Sequence, residues 1–183
     1  MTASNNVRTF IKREETGGKA PALSAYKDGI IGGVQVYSIG YGTQFYEDGT
    51  RVKSGDVISA DKAERMFEAA VTRAANAVNN GLKVSVNQNQ FDALTSFSYN
   101  IGDTKFLASQ VLKNVNAQAS TDTVGAIWKS SFVTSSGTYL QGLADRRLRE
   151  FALYATSSSV LAGGTNWILI LIVGLLLAKQ LRK

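Results

Sequence analysis

Between Asp28 and Ile58 the chain abandons helical spacing for a strand-like pattern. Glycine becomes frequent, Val34, Val36, Tyr37 and Ile39 read as strand, and Asp48-Gly49 supplies a turn. Helical patterns flank this interval. Before it, Val7, Phe10, Ile11 and Glu14 or Glu15 recur at helical spacing over residues 5–15, and Gly17, Gly18 and Pro21 end that helix. After it, Ser59 is placed to cap a helix that runs to about Asn80 and closes on Asn79-Asn80-Gly81. Asn87 and Gln90 form a capping box before Phe91, Leu94, Phe97, Ser98 and Ile101. Asp103-Thr104 opens a helix carrying Phe106, Val111, Leu112 and Val115. A shorter helix holds Val124, Ile127 and Trp128, and a last amphipathic one runs from about Leu140 to Tyr154. The expected class is α+β, mostly α, with one small antiparallel sheet. At 183 residues the chain can bury a core of ordinary size.

The chain has no His and no Cys. Disulfides, the usual zinc sites and the Ser-His and Cys-His catalytic pairs are therefore excluded, and neither a metal nor a cofactor is expected. Chemistry must come from carboxylates, hydroxyls, amides, Lys, Arg or Tyr. The net charge of +6 suits an anionic partner such as a wall polymer or a membrane. Basic runs interleaved with aromatics are missing, so no nucleic acid is expected.

Half of that charge comes from Lys179, Arg182 and Lys183 at the end of the chain. They follow a small, polar stretch at residues 155–166, a linker by composition, and an apolar run from Trp167 to Ala178. The run has 12 residues, or 19 without charge if counted from Val160. A full span needs roughly 20. Trp167 at one end and basic residues at the other are interfacial-anchor chemistry. The sequence therefore predicts a domain at 1–154, a linker at 155–166 and a C-terminal transmembrane anchor at 167–183. A lipid membrane is the expected location. A buried C-terminal helix is the alternative.

Glu14/Glu15 and Asp28 bracket a Gly-rich run that ends in Ser38-Ile39-Gly40-Tyr41-Gly42-Thr43. Two carboxylates with a hydroxyl nearby are the minimum for glycosidic hydrolysis. One gives its proton to the leaving oxygen and the other holds a water. Alone, this spacing is a weak signal, because most Glu/Asp pairs are solvated surface. The context is specific. Glu15, the segment Leu23-Ser24-Ala25-Tyr26-Lys27-Asp28 and the run from Ser38 to Thr43 occur in order. Gln88-Asn89-Gln90-Phe91-Asp92-Ala93-Leu94, Tyr99-Asn100-Ile101-Gly102 and Gly142-Leu143 with Arg146-Arg147-Leu148-Arg149-Glu150 follow. Together these motifs, over residues 8–154, resemble the phage-type lysozymes, the T4-like muramidase and endolysin family.

The resemblance implies a lysozyme-like fold with a cleft between a sheet lobe and a helical lobe. It implies a peptidoglycan hydrolase acting in phage entry or host lysis, with peptidoglycan as partner, other virion proteins as further candidates, and the expected anchor in the virion membrane or the host inner membrane. Glu15 would be the general acid, with Glu14 the rival because Phe10 to Glu14 repeats the spacing of Ile11 to Glu15. Asp28 and Ser38 would address the attacking water, with inversion at the anomeric carbon. Tyr99, Asn100 and Ser109 would line the saccharide cleft, and Tyr26 and Tyr41 would border it. Ser38 stands where the family usually has Thr, Thr43 where it has His, and about four extra residues precede each of Asp28 and Ser38. A lytic transglycosylase and a catalytically inactive structural module remain as alternatives. Arg147 and Glu150, three apart, read as a helix-surface ion pair, and Lys27 as solvated.

Overall fold

The computed structural model describes residues 1–135 and 137–156. Helix α1 (Asn5–Thr16) starts where the Ser4 side chain accepts the Val7 N–H and ends at Gly17, which is left-handed at φ 62°. Asp92, itself buried, takes the Ser4 N–H at 3.1 Å and so fixes the entrance to α1 from the middle of the chain. Val7 and Ile11 turn inward to the core.

Strands β1 (Ala22–Ile31) and β2 (Val34–Gly40) form an antiparallel hairpin. Its turn, Gly32-Gly33, has positive φ at both positions (58° and 80°), the conformation a two-residue hairpin turn requires. Strand β1 begins six residues before the expected sheet. Its side chains are almost all exposed, so no apolar alternation marks it in the sequence. Pairing with β2 makes it a strand. The Asp48-Gly49 turn is present, with Gly49 at φ 81° and Phe45 bridged to Arg51.

The helical lobe follows the caps read from the sequence. Helix α2 (Ala60–Gly81) starts with the Ser59 side chain accepting from Lys62, and α3 (Gln88–Ile101) with the Asn87/Gln90 capping box complete. Helix α3 is central, packed between α2 and α7 (Gln141–Ala155), and every residue from Phe91 to Ser98 is buried. Phe97, Trp128 and Tyr154 pack in series as tilted rings, at 5.1 and 5.2 Å between centroids, joining α3, α6 (Thr121–Ser130) and α7. The helix expected from Asp103 to Val115 divides into α4 (Asp103–Ala108) and α5 (Gln110–Asn116). Ser109 is the cause: its hydroxyl accepts the Leu112 N–H at 3.1 Å and restarts the helix. A hairpin of two-residue strands, β3 (Thr134–Ser135) and β4 (Thr138–Tyr139), leads into α7. It is too short to show a period in sequence.

Two expectations are corrected. The Arg147–Glu150 pair does form, but both side chains are fully buried rather than on a helix surface. The membrane-anchored localisation does not stand: no helix among the described residues is long and apolar enough to cross a membrane. The longest, α2, is interrupted by Asp61, Lys62, Glu64, Arg65, Glu68 and Arg73. The anchor at 167–183 that carried this expectation, and the linker from 157 onward, lie outside the described residues.

Candidate active site

Glu15 sits in the last turn of α1, with its side chain 17 % exposed. Its Oε1 accepts from Nη1 of Arg146 on α7 at 2.6 Å. The other oxygen faces Gly42. A Cβ built on Gly42 would lie 2.8 Å from Oε2, and the backbone there is at φ +80°. Glycine is thus required at 42 both for the turn and for the close approach of the carboxyl. Burial raises the Glu15 pKa above the ordinary value of 4.5; Arg146 pulls it down but does not cancel the burial. The carboxyl therefore favours its protonated form more than a solvated glutamate does.

Glu14, the rival, is occupied. Arg149 Nε and Nη2 grip its two oxygens at 2.6 and 2.7 Å. Of the two glutamates, Glu15 alone shares a cavity with Asp28.

Asp28 owes its direction to a bulge. The β1–β2 register passes from Lys27↔Tyr37 to Gly29↔Val36, so Asp28 is the extra residue with no cross-strand partner. Gly29, at φ 129°, allows the kink. The Asp28 side chain accepts on Oδ2 from the Ser38 hydroxyl at 2.6 Å and from Gln44 Nε2 at 3.1 Å. Ser38 is fully buried in β2, so serine in place of threonine still supplies the hydroxyl. The extra glycines fall at Gly17-Gly18 after α1 and in the β1–β2 bulge and turn, where the added length does not part Asp28 from Ser38.

A cavity of about 350 Å³ separates the lobes, lined by Tyr26, Asp28, Gly42 and Gln44 from the sheet side and by Glu15, Tyr99 and Asn100 from the helical side. A second, of about 630 Å³, continues past Glu15 along the start of α7. Asn100 borders both, and its carbonyl accepts from Arg147 Nη2 at 2.7 Å, which leaves the amide nitrogen for the cavity.

The remaining expected residues divide. Tyr26 lines the cavity, 40 % exposed. Burial, with Asp28 and Glu15 nearby, holds its phenol above the ordinary pKa. Tyr99 lines it too, but its hydroxyl donates to the Tyr41 carbonyl at 3.0 Å and ties α3 to the sheet lobe. Tyr41 is not a cavity residue. It is buried against Phe67, its hydroxyl is bonded to Glu64, and its pKa is pushed up to about 12 by burial and then by Glu64. Ser109 lines neither cavity; it is buried and its hydroxyl caps α5.

Arg146, Glu150 and Gln44 are not among the site residues expected from the sequence, where Glu150 reads only as half of an ion pair. Glu150, fully buried, organises both arms of the site. Its Oε1 accepts from Ser96 Oγ (2.9 Å), Arg146 Nε (3.1 Å) and Arg147 Nη2 (3.0 Å). Its Oε2 takes Trp128 Nε1 at 3.3 Å and pairs with Arg147 Nε at 2.9 Å, the latter in a geometry too bent for a hydrogen bond. Through Arg146 it positions Glu15, and through Arg147 it positions Asn100. Its spacing to Arg146, i to i+4, is visible in sequence; its burial is not.

The chain is similar in sequence and fold to known proteins. Residues 19–150 match the phage lysozyme family. The matched span begins after Glu15, so the place of Glu15 rests on the geometry above. The chain is 39 % identical over 132 residues to an endolysin of Bacillus phage PZA, covering 72 % of this chain and 48 % of that protein. It thus spans about half the length of that relative. It is 34 % identical over 157 residues to the endolysin of Salmonella phage P22, covering 84 % of this chain and 98 % of that one. The solved endolysin of Escherichia coli O157:H7 phage FAHEc1 superposes with a TM-score of 0.71 at 34 % identity, over 89 % of this chain and 98 % of that chain. With the family match spanning most of the chain and the same fold in a solved endolysin, this chain belongs to the phage lysozyme family and is a glycoside hydrolase of the lysozyme type.

Proposed function

We propose that this protein cleaves the β-1,4 bond between N-acetylmuramic acid and N-acetylglucosamine in peptidoglycan, with inversion at the anomeric carbon. One observation carries the reading: a partly buried carboxyl held above its ordinary pKa, Glu15, and the exposed side chain of Asp28 line one cavity between the lobes. Environments this different separate acid from base.

Glu15 Oε2 is the proton donor, since Oε1 is held by Arg146. It gives its proton to the glycosidic oxygen as the bond from C1 to that oxygen breaks. A water held on Asp28 attacks C1 from the opposite face, and Asp28 takes the proton that the water loses. One water is consumed, and the two carboxyls exchange protonation states before resetting through solvent. Asn100, aligned by Arg147, offers its amide N–H to the sugar on either side of the scissile bond. The curated relatives named endolysin support action on the bacterial wall during host lysis.

Asp28→Asn keeps the shape of the side chain but cannot take the proton. The expected result is a loss of about a hundredfold in the rate of peptidoglycan clearing, within the usual range for one acid–base group. Unaltered clearing by Asp28→Asn would overturn the hydrolytic reading and favour a mechanism with one essential carboxyl.

A further inference from the structure

We infer that Gln44 is a positioning residue for the base, fixing the Asp28 carboxylate so that Oδ1 alone is presented to the attacking water. The inference rests on the reading of Asp28 as that base. After β2 the chain turns back on itself: Ile39 and Thr43 exchange backbone hydrogen bonds at 3.0 Å in both directions, across Gly40 and Gly42, both at positive φ. In an antiparallel pair the next partners outward are Ser38 and Gln44, whose side chains then share a face. Both reach the same oxygen. Ser38 Oγ and Gln44 Nε2 converge on Asp28 Oδ2 at 2.6 and 3.1 Å. Two donors from different segments fix the rotation of a carboxylate that one alone would leave free to swing. A bulged residue needs such holding, because it lacks a cross-strand neighbour. Gln44 also lines the cavity, and its own backbone is fixed, its carbonyl accepting the Val52 N–H at 3.0 Å.

Groups from four elements and the turn after β2 surround Asp28. Ser38 approaches from β2, Gln44 from the turn, and Tyr26 from its own strand; Glu15 from α1 and Tyr99 from α3 line the same cavity. A carboxylate placed at 44, where Gln44 Nε2 now lies 3.1 Å from Asp28 Oδ2, would act directly on Asp28.

The test is the pH dependence of kcat and KM for wild type, Gln44→Leu, Gln44→Glu and Asp28→Asn on purified peptidoglycan. Gln44→Leu is expected to lower kcat about tenfold with KM within about twofold, since the lost interaction orients the base rather than holding substrate. Gln44→Glu is expected to move the acid limb of the kcat profile up by about one pH unit, through like-charge repulsion between neighbouring carboxylates. An unmoved acid limb in Gln44→Glu, or a Gln44→Leu effect confined to KM, would overturn the inference while leaving the proposed reaction standing if Asp28→Asn shows its expected loss. Full activity in Asp28→Asn would instead overturn the reading on which it rests.

Discussion

Glu15→Gln is expected to reduce the rate of peptidoglycan hydrolysis by about 10⁴-fold, the upper end of what one acid–base group contributes. Glutamine matches glutamate in volume, and its carbonyl can still accept the Arg146 N–H that Oε1 accepts now at 2.6 Å. What it lacks is a transferable proton on the side facing the cleft. The same substitution has a signature in stability. Burial raises the Glu15 pKa in the folded protein, so the folded state binds its proton more tightly than the unfolded chain does. The stability this group contributes is fully present below its ordinary value of 4.5 and is lost as pH rises through the raised folded value. Glu15→Gln should remove that decline. Clearing of a cell-wall suspension together with thermal melts across that pH range checks both effects. Retained activity would mean that another group donates the proton, and Glu14, held by Arg149 at both oxygens, would then need to be released.

Glu150→Ala is expected to cost about 3–5 kcal/mol of stability, the usual consequence of removing one member of a buried ion pair. Arg146 and Arg147 would be left in the core, and three of their nitrogens (Arg146 Nη2, Arg147 Nε and Nη1) already lack a hydrogen-bond partner among the described residues. Ser96 and the Trp128 indole would lose their acceptor too. Because Glu150 steadies Glu15 through Arg146 and Asn100 through Arg147, activity should fall even where the variant stays folded. Glu150→Gln, which keeps an acceptor oxygen, should lose less of both. Urea denaturation and kcat measured well below the melting temperature separate the two losses. A denaturation midpoint that does not move would show that the arginines find other partners.

Much of the scaffold was legible because it is written locally. The caps at Ser59 and Asn87/Gln90, the glycine stop after α1 and the Asp48-Gly49 turn depend on side chains reaching only a few residues along the chain. Strand β1 was missed because its side chains are exposed and carry no alternation; only β2 defines it. The α4–α5 break was missed because Ser109 reads as an ordinary helix residue until its hydroxyl is seen to cap. In the site, Glu15, Asp28, Ser38, Tyr26, Tyr99 and Asn100 come together as expected from the ordered motifs. Tyr41 and Ser109 line neither cavity; each is buried and its hydroxyl is bonded within the fold. The Glu14/Glu15 ambiguity could not be resolved by spacing, since it depends on which arginine of α7 reaches which carboxylate across 131 or 135 positions of sequence. Gln44 and Glu150 were invisible for a related reason. One acts across a turn closed by two backbone hydrogen bonds, and the other acts from a burial that its charge conceals.

The central claim is that Asp28 directs a water onto C1 from the face opposite Glu15. The anomeric signal of the newly released reducing end, followed by proton NMR in the first minutes of digestion before mutarotation, tests it directly. The account predicts that the muramic acid end appears first as the α anomer. First appearance of the β anomer, or of an anhydro sugar with no reducing end, would contradict it.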